Sequence, residues 1–88
     1  MKRYPQEKID KIKEQFYGLI KEKGFTGLRA FARATNIQVG NIYSNIDGRY
    51  ELGIKRAFIY ANALNVPITD ILAIFYEDEM AENYKSAS

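Results

Sequence analysis

The stretch Leu28–Gly48, LRAFARATNIQVGNIYSNIDG, decides how the chain is read. Leu28, Phe31 and Ala32 fall on one side of a short helix running from about Gly27 to Ala34. Thr26 can cap it by accepting a hydrogen bond from a free backbone N–H. Thr35-Asn36 breaks it, and Asn36 can make the sharp turn because Asn tolerates the left-handed conformation better than other non-glycine residues. A second helix runs from about Gln38 to Ile46, anchored by Ile37, Ile42 and Ile46, and stops at Asp47-Gly48. Two helices this short cannot each bury a face alone. They make sense as a pair braced by other helices, with the second left to meet a partner.

The flanking sequence supplies the braces. Pro5 suits the first turn of a helix, where its missing N–H costs nothing. Gln6–Lys23 then carries Ile9, Ile12, Phe16, Leu19 and Ile20 at helical spacing, and Gly24 ends it. Gly18 inside this helix marks a close contact or nothing. After a loop over Arg49–Leu52, Gly53–Leu64 reads as a fourth helix with Ile54, Ala57, Phe58, Ala61 and Leu64 inward, stopped by Asn65. Pro67 opens a fifth, with Ile68, Ile71, Leu72 and Phe75 on one side. No strand alternation or hairpin signal competes. The expected fold is all-α, with a five-helix domain over residues 1–76 and an acidic, partly flexible extension over 77–88 that frays from Lys85.

With 88 residues and 47% hydrophobic residues, the chain is long enough for one core. It has no Cys and no His. That removes thiol nucleophiles, disulfides, nearly every zinc site and the usual general base. No glycine-rich phosphate loop or paired carboxylates in an apolar setting are visible, so no enzyme and no cofactor is expected. The apolar runs fall short of the roughly 18 residues of a membrane span, and Met1–Lys8 is charged with no apolar signal core after it. Residues 1–75 hold twelve Lys/Arg against seven Asp/Glu, whereas residues 76–88 hold one against four. A basic body with an acidic tail suits phosphate binding, and a solvated surface of mixed charge fits the same numbers.

Taken in order, these features resemble the Cro/phage-repressor, or Xre-like, helix-turn-helix family. Phe31-Ala32 match the apolar-Ala pair of the first motif helix, where alanine lets the second helix pack close. Asn36-Ile37 stand where the family has Gly and an apolar residue, and Ile42 matches the buried residue of the recognition helix. IYSNIDG (42–48) resembles the end of that helix, and GIKRAFIYANALNVPITDIL (53–72) looks like the fourth and fifth helices. The likeness covers about Thr26–Phe75, with Gln6–Lys23 fitting as the first helix. There are departures: Leu28 replaces a frequent Gln, Asn36 the turn Gly, and Asn45 an apolar or aromatic residue, while Gly40 lies within the recognition helix.

The resemblance implies a cytoplasmic, bacterial or phage-encoded regulator that places Gln38–Ile46 in the major groove of double-stranded DNA. Opposite buried Ile42, the outward direction falls near Gly40 and Ser44, with Asn41, Tyr43 and Asp47 beside it. Gln38 and Asn41 are of the type that pairs with adenine. Val39 can touch a thymine methyl, or it can belong to the core. No Arg or Lys lies between Ile37 and Gly48, so the commonest guanine contact is missing. Arg49, Tyr50, Lys55 and Arg56 are candidate phosphate contacts. Arg29 and Arg33 can clamp the opposite strand, and Lys2 and Arg3 can act as an arm. Ile74, Phe75, Tyr76, Met80 and Tyr84 form a candidate homodimer face, the alternative being that they fold back on the same core. A second class of function is an antirepressor or modulator that keeps the fold and binds a partner repressor protein.

Overall fold

A computed structural model describes the backbone of residues 3–87 and the side chains of residues 3–77. Five helices follow in order: α1 (Gln6–Glu22), α2 (Leu28–Thr35), α3 (Val39–Asp47), α4 (Ile54–Leu64) and α5 (Ile68–Ala87). No strand is found among the described residues. The architecture is all-α, and α2, a short turn and α3 form the central helical pair. No helix among the described residues is long and apolar enough to cross a membrane.

Three of the helices end the same way. Gly24, Asn36 and Asn65 take left-handed conformations, with φ of 96°, 58° and 55°. In each case the next residue's N–H reaches back across the last turn: Phe25 to the Ile20 carbonyl, Ile37 to Ala32 and Val66 to Ala61. These are Schellman closures, which satisfy carbonyls the helix itself leaves unpaired. Phe25, Ile37 and Val66 also pack their apolar side chains against the core. The expected stops at Gly24, Asn36 and Asn65 therefore hold. Capping of α2 by Thr26 does not: Gly27 occupies the N-cap position without a side-chain hydrogen bond.

The core is centred on Phe16 of α1. Its ring lies 5.6 Å from Phe31 of α2, 5.4 Å from Tyr60 of α4 and 5.2 Å from Phe75 of α5, in edge-on or tilted arrangements. Aromatic pairs with this geometry each contribute roughly 0.5–1.5 kcal/mol beyond the area they bury. Ile9, Ile12, Ile20, Ile42, Ile46, Leu52, Leu64 and Ile71 fill the space around them. Leu19, Ile37, Ile68 and Leu72 are half-buried at its edge. Nothing lies within contact range of a side chain at Gly18, so no close helix approach requires glycine there.

α4 is rotated from the expected register. Ile54 and Phe58 face solvent, while Tyr60 is fully buried beside Ala57, Ala61 and Leu64. The rotation is possible because α3 supplies an acceptor for the Tyr60 hydroxyl, described below. α5 is also longer than expected. It continues past Tyr76, where φ −127° and ψ 26° mark a kink, and remains helical to Ala87, through the tail expected to fray. Ser88 lies outside the described residues.

The candidate dimer stripe on α5 is corrected in part. Phe75 is 1% exposed and belongs to the monomer core. Ile74 and Tyr76 are half-buried against that core, and the Tyr76 hydroxyl donates to the Leu52 carbonyl at 2.6 Å. These three side chains fold back because Phe75 completes the aromatic cluster. The side chains of Met80 and Tyr84 lie outside the described residues.

Candidate nucleic-acid interface

α3 lies between two clefts. On one side a cleft of about 440 Å³ is lined by Arg29, Arg33, Asn36, Gln38 and Val39. Arg29 and Arg33 are exposed and one helical turn apart on α2. Gln38 is the N-cap residue of α3, extended and exposed, so its side chain is free of the helix. Val39 is half-buried and packs against the core, which limits what it can present.

On the other side a cleft of about 350 Å³ is lined by Asn41, Asn45, Tyr50, Glu51, Gly53 and Arg56. Asn41 and Tyr50 are exposed, and Arg56 is half-buried. No side chain caps α4 at Gly53, which leaves its first N–H groups without a side-chain acceptor. Glu51 is the one carboxylate in this lining and opposes an anion. Lys55 is exposed on the first turn of α4 but does not line the cleft.

The outer face of α3 is narrower than expected. Gly40, Asn41 and Tyr43 are exposed. Ser44, expected to point outward, is 6% exposed, and its hydroxyl donates to the Gly40 carbonyl at 3.0 Å. The Ser44 carbonyl also accepts from the N–H groups of Gly48 and Tyr50, so the returning chain folds over it. Ser44 therefore closes the end of α3 instead of facing a ligand. Nothing lies within contact range of a side chain at Gly40, which leaves room for close approach of a partner.

Asn45 is the residue that sequence reasoning undervalued. It is 4% exposed and joins three parts of the fold. Its Nδ2 donates to the Tyr50 carbonyl at 3.0 Å. Its Oδ1 accepts from the Tyr60 hydroxyl at 2.8 Å and, more weakly, from Arg56 Nη1 at 3.5 Å. Burial pushes the Tyr60 phenol up in pKa, opposed by the nearby Arg56 cation, so it stays a neutral donor. The signal in the sequence was a polar residue where the helix-turn-helix resemblance leads one to expect an apolar one.

Asp47 and Arg49 act as a pair. Asp47 Oδ1 accepts from the Arg49 backbone N–H at 3.0 Å, and Arg49 Nε lies 3.0 Å from Oδ2. Asp47 thus faces a protein group, and it partly neutralises a candidate phosphate contact. The N-terminal segment meets the same corner. The Tyr4 N–H donates to the Asp47 carbonyl at 2.7 Å, its ring covers Gly48, and Lys8 Nζ lies 4.1 Å from the ring centroid. Exposed Arg3 is thereby carried beside the end of α3.

Tyr43 lies over a third recess of about 200 Å³ shared with Tyr17, Ile20, Lys21, Gly27 and Leu28. Burial, with the Tyr43 phenol beside it, pushes Tyr17 up to about 12. Tyr17 and Lys21 are one turn apart on α1, a spacing visible in the sequence but without meaning until α3 is placed. Among the described residues no group of acidic side chains is arranged to hold a metal ion. No protein-family model, curated protein or solved structure matches the chain.

Proposed function

We propose that the chain is a small DNA-binding transcriptional regulator of the Cro or phage-repressor kind, with α3 as its major-groove helix. One observation carries this reading: the exposed strip Gly40, Asn41 and Tyr43 is flanked on both sides by clefts that hold arginines, Arg29 and Arg33 on one side and Arg56 on the other. A groove-entering helix needs this division, because half to two-thirds of protein–DNA hydrogen bonds go to the backbone. Gln38 and Asn41 supply base-reading groups, while Arg29, Arg33, Tyr50, Lys55 and Arg56 supply positioning. The regulator would act by occupying an operator in the cytoplasm of a bacterium or phage host.

A second reading, a modulator that binds a partner repressor protein, is favoured by the thin polar content of the strip. Tyr43 is 42% exposed, and no Lys or Arg lies on α3. Fluorescence anisotropy against the native upstream duplex and a random duplex, across a salt series, separates the two. A regulator binds its own duplex more tightly, and log affinity falls linearly with log salt. No binding to either duplex at low salt sinks the DNA reading and favours the partner protein.

A further inference from the structure

The corner where α3 ends is held from outside by residues that precede α1. The Asp47 carbonyl, one of those the helix leaves unpaired, accepts from the Tyr4 N–H at 2.7 Å. Tyr4 is half-buried, with its ring across Gly48 and Lys8 Nζ 4.1 Å from the ring centroid. Glycine at 48 lets the ring seat, since a Cβ there would fall 2.6 Å from it. Pro5 disfavours helical backbone at Tyr4, which leaves the Tyr4 N–H to bond outside α1.

The loop over 48–53 that follows has no regular structure and exposes Arg49, Tyr50, Glu51 and Gly53. Side chains from two helices pin it from within. Asn45 Nδ2 holds the Tyr50 carbonyl at 3.0 Å, and the Tyr76 hydroxyl holds the Leu52 carbonyl at 2.6 Å. The Tyr4 contact is a further pin, and it comes from a segment outside any helix. Ordering residues 3–5 costs conformational entropy that one hydrogen bond and one half-buried ring only just offset. This pin therefore opens before the core does.

We propose that Tyr4 is a clasp on the second cleft. Seated, it orders the loop that brings Tyr50, Glu51 and Gly53 to the cleft lining; lifted, it lets that loop open while the helical core stays folded. A binder that meets the ordered loop closes the clasp, and by the same linkage the closed clasp tightens that binder. A duplex against Tyr50 and Arg56 is such a binder. That step rests on the nucleic-acid reading; the clasp itself does not.

Native-state hydrogen exchange of the full chain without DNA, across low urea, tests the clasp. The amides to follow are Gly48 and Tyr50, bonded to the Ser44 carbonyl, and Arg49, bonded to Asp47 Oδ1. In the wild type they should exchange faster than the core amides of Phe16 and Phe31 and with little dependence on urea, as local opening requires. Tyr4→Ala should speed the loop amides about tenfold, and Tyr4→Phe, which keeps the ring, should leave them unchanged. Loop amides that share the rate and urea slope of the core open only by global unfolding and overturn the proposal. So does a Tyr4→Ala chain with unchanged loop exchange, or a Tyr4→Phe chain that matches Tyr4→Ala. A duplex that binds and leaves the Tyr4 amide no better protected overturns the link to the cleft. A chain that binds no duplex yet keeps this exchange pattern supports the clasp and sinks the DNA reading alone.

Discussion

The Tyr60 hydroxyl donates to Asn45 Oδ1 at 2.8 Å, joining α3 to α4 inside the core. Each residue explains the other. A buried phenol needs an acceptor, and a buried amide needs both its ends satisfied. Asn45 Nδ2 finds the Tyr50 carbonyl, so the side chain also fastens the loop after α3. Tyr60→Phe should cost about 1 kcal/mol by urea unfolding, and Asn45→Leu more, about 1–3 kcal/mol, because it strands the buried hydroxyl. Combining the two removes both polar groups and should be less destabilising than Asn45→Leu alone. A double variant whose losses simply add would show that the bond is not the coupling.

Gly48 should resist substitution for two separable reasons. Its φ of 86° is left-handed, and a Cβ built there falls 2.6 Å from the Tyr4 ring. Gly48→Ala should therefore cost more than the roughly 1–2 kcal/mol of left-handed strain alone. In a Tyr4→Ala background the ring is gone, and the added cost of Gly48→Ala should shrink to the strain. Urea melts of the four chains measure both parts.

The fold was legible in the sequence where local chemistry decides it. Gly24, Asn36 and Asn65 are each followed by an apolar residue, which is the pattern of a left-handed stop with its hydrophobic contact. Periodicity located the buried stripes of α1 and α2. It misplaced α4 because that helix is apolar on both sides, and the choice between Phe58 and Tyr60 depends on an acceptor fifteen residues earlier. Of the candidate site, Arg29 and Arg33 were legible as exposed charges, whereas Arg56 is half-buried against Asn45. Ser44 was not, because its burial comes from the chain that returns over α3 after Gly48. Counting around the helix cannot register that cover.

Stability should fall at high pH in a way that traces to Tyr17. Its pKa is raised from 10.0 to about 12 in the fold, chiefly by burial and then by Tyr43. A raised folded value means that the unfolded chain loses this proton first. The contribution is full below pH 10, declines from there, and is gone as pH passes the folded value. Melting temperatures should therefore drop between about pH 10 and pH 12, and the drop should be smaller in Tyr17→Phe. An unchanged alkaline profile in that variant would remove Tyr17 as the cause.

Arg56 and Arg49 should behave differently on DNA, although both look alike as sequence. Arg56 lines the cleft beside α3 and is held only weakly by Asn45, at 3.5 Å. Arg56→Ala should weaken binding to all duplexes alike and lower the salt slope by about 0.9. The Arg49 guanidinium is already paired with Asp47 at 3.0 Å, so Arg49→Ala should cost less. Asp47→Asn removes that competitor and should tighten binding while steepening the salt slope. On the proposed DNA reading, Gln38→Ala should instead change which duplex is preferred, because its exposed side chain stands at the start of α3. Anisotropy titrations of the four variants across salt check the set. A Gln38→Ala effect equal on every duplex would make Gln38 a backbone contact, and an Asp47→Asn chain that binds more weakly would give the carboxylate a supporting role.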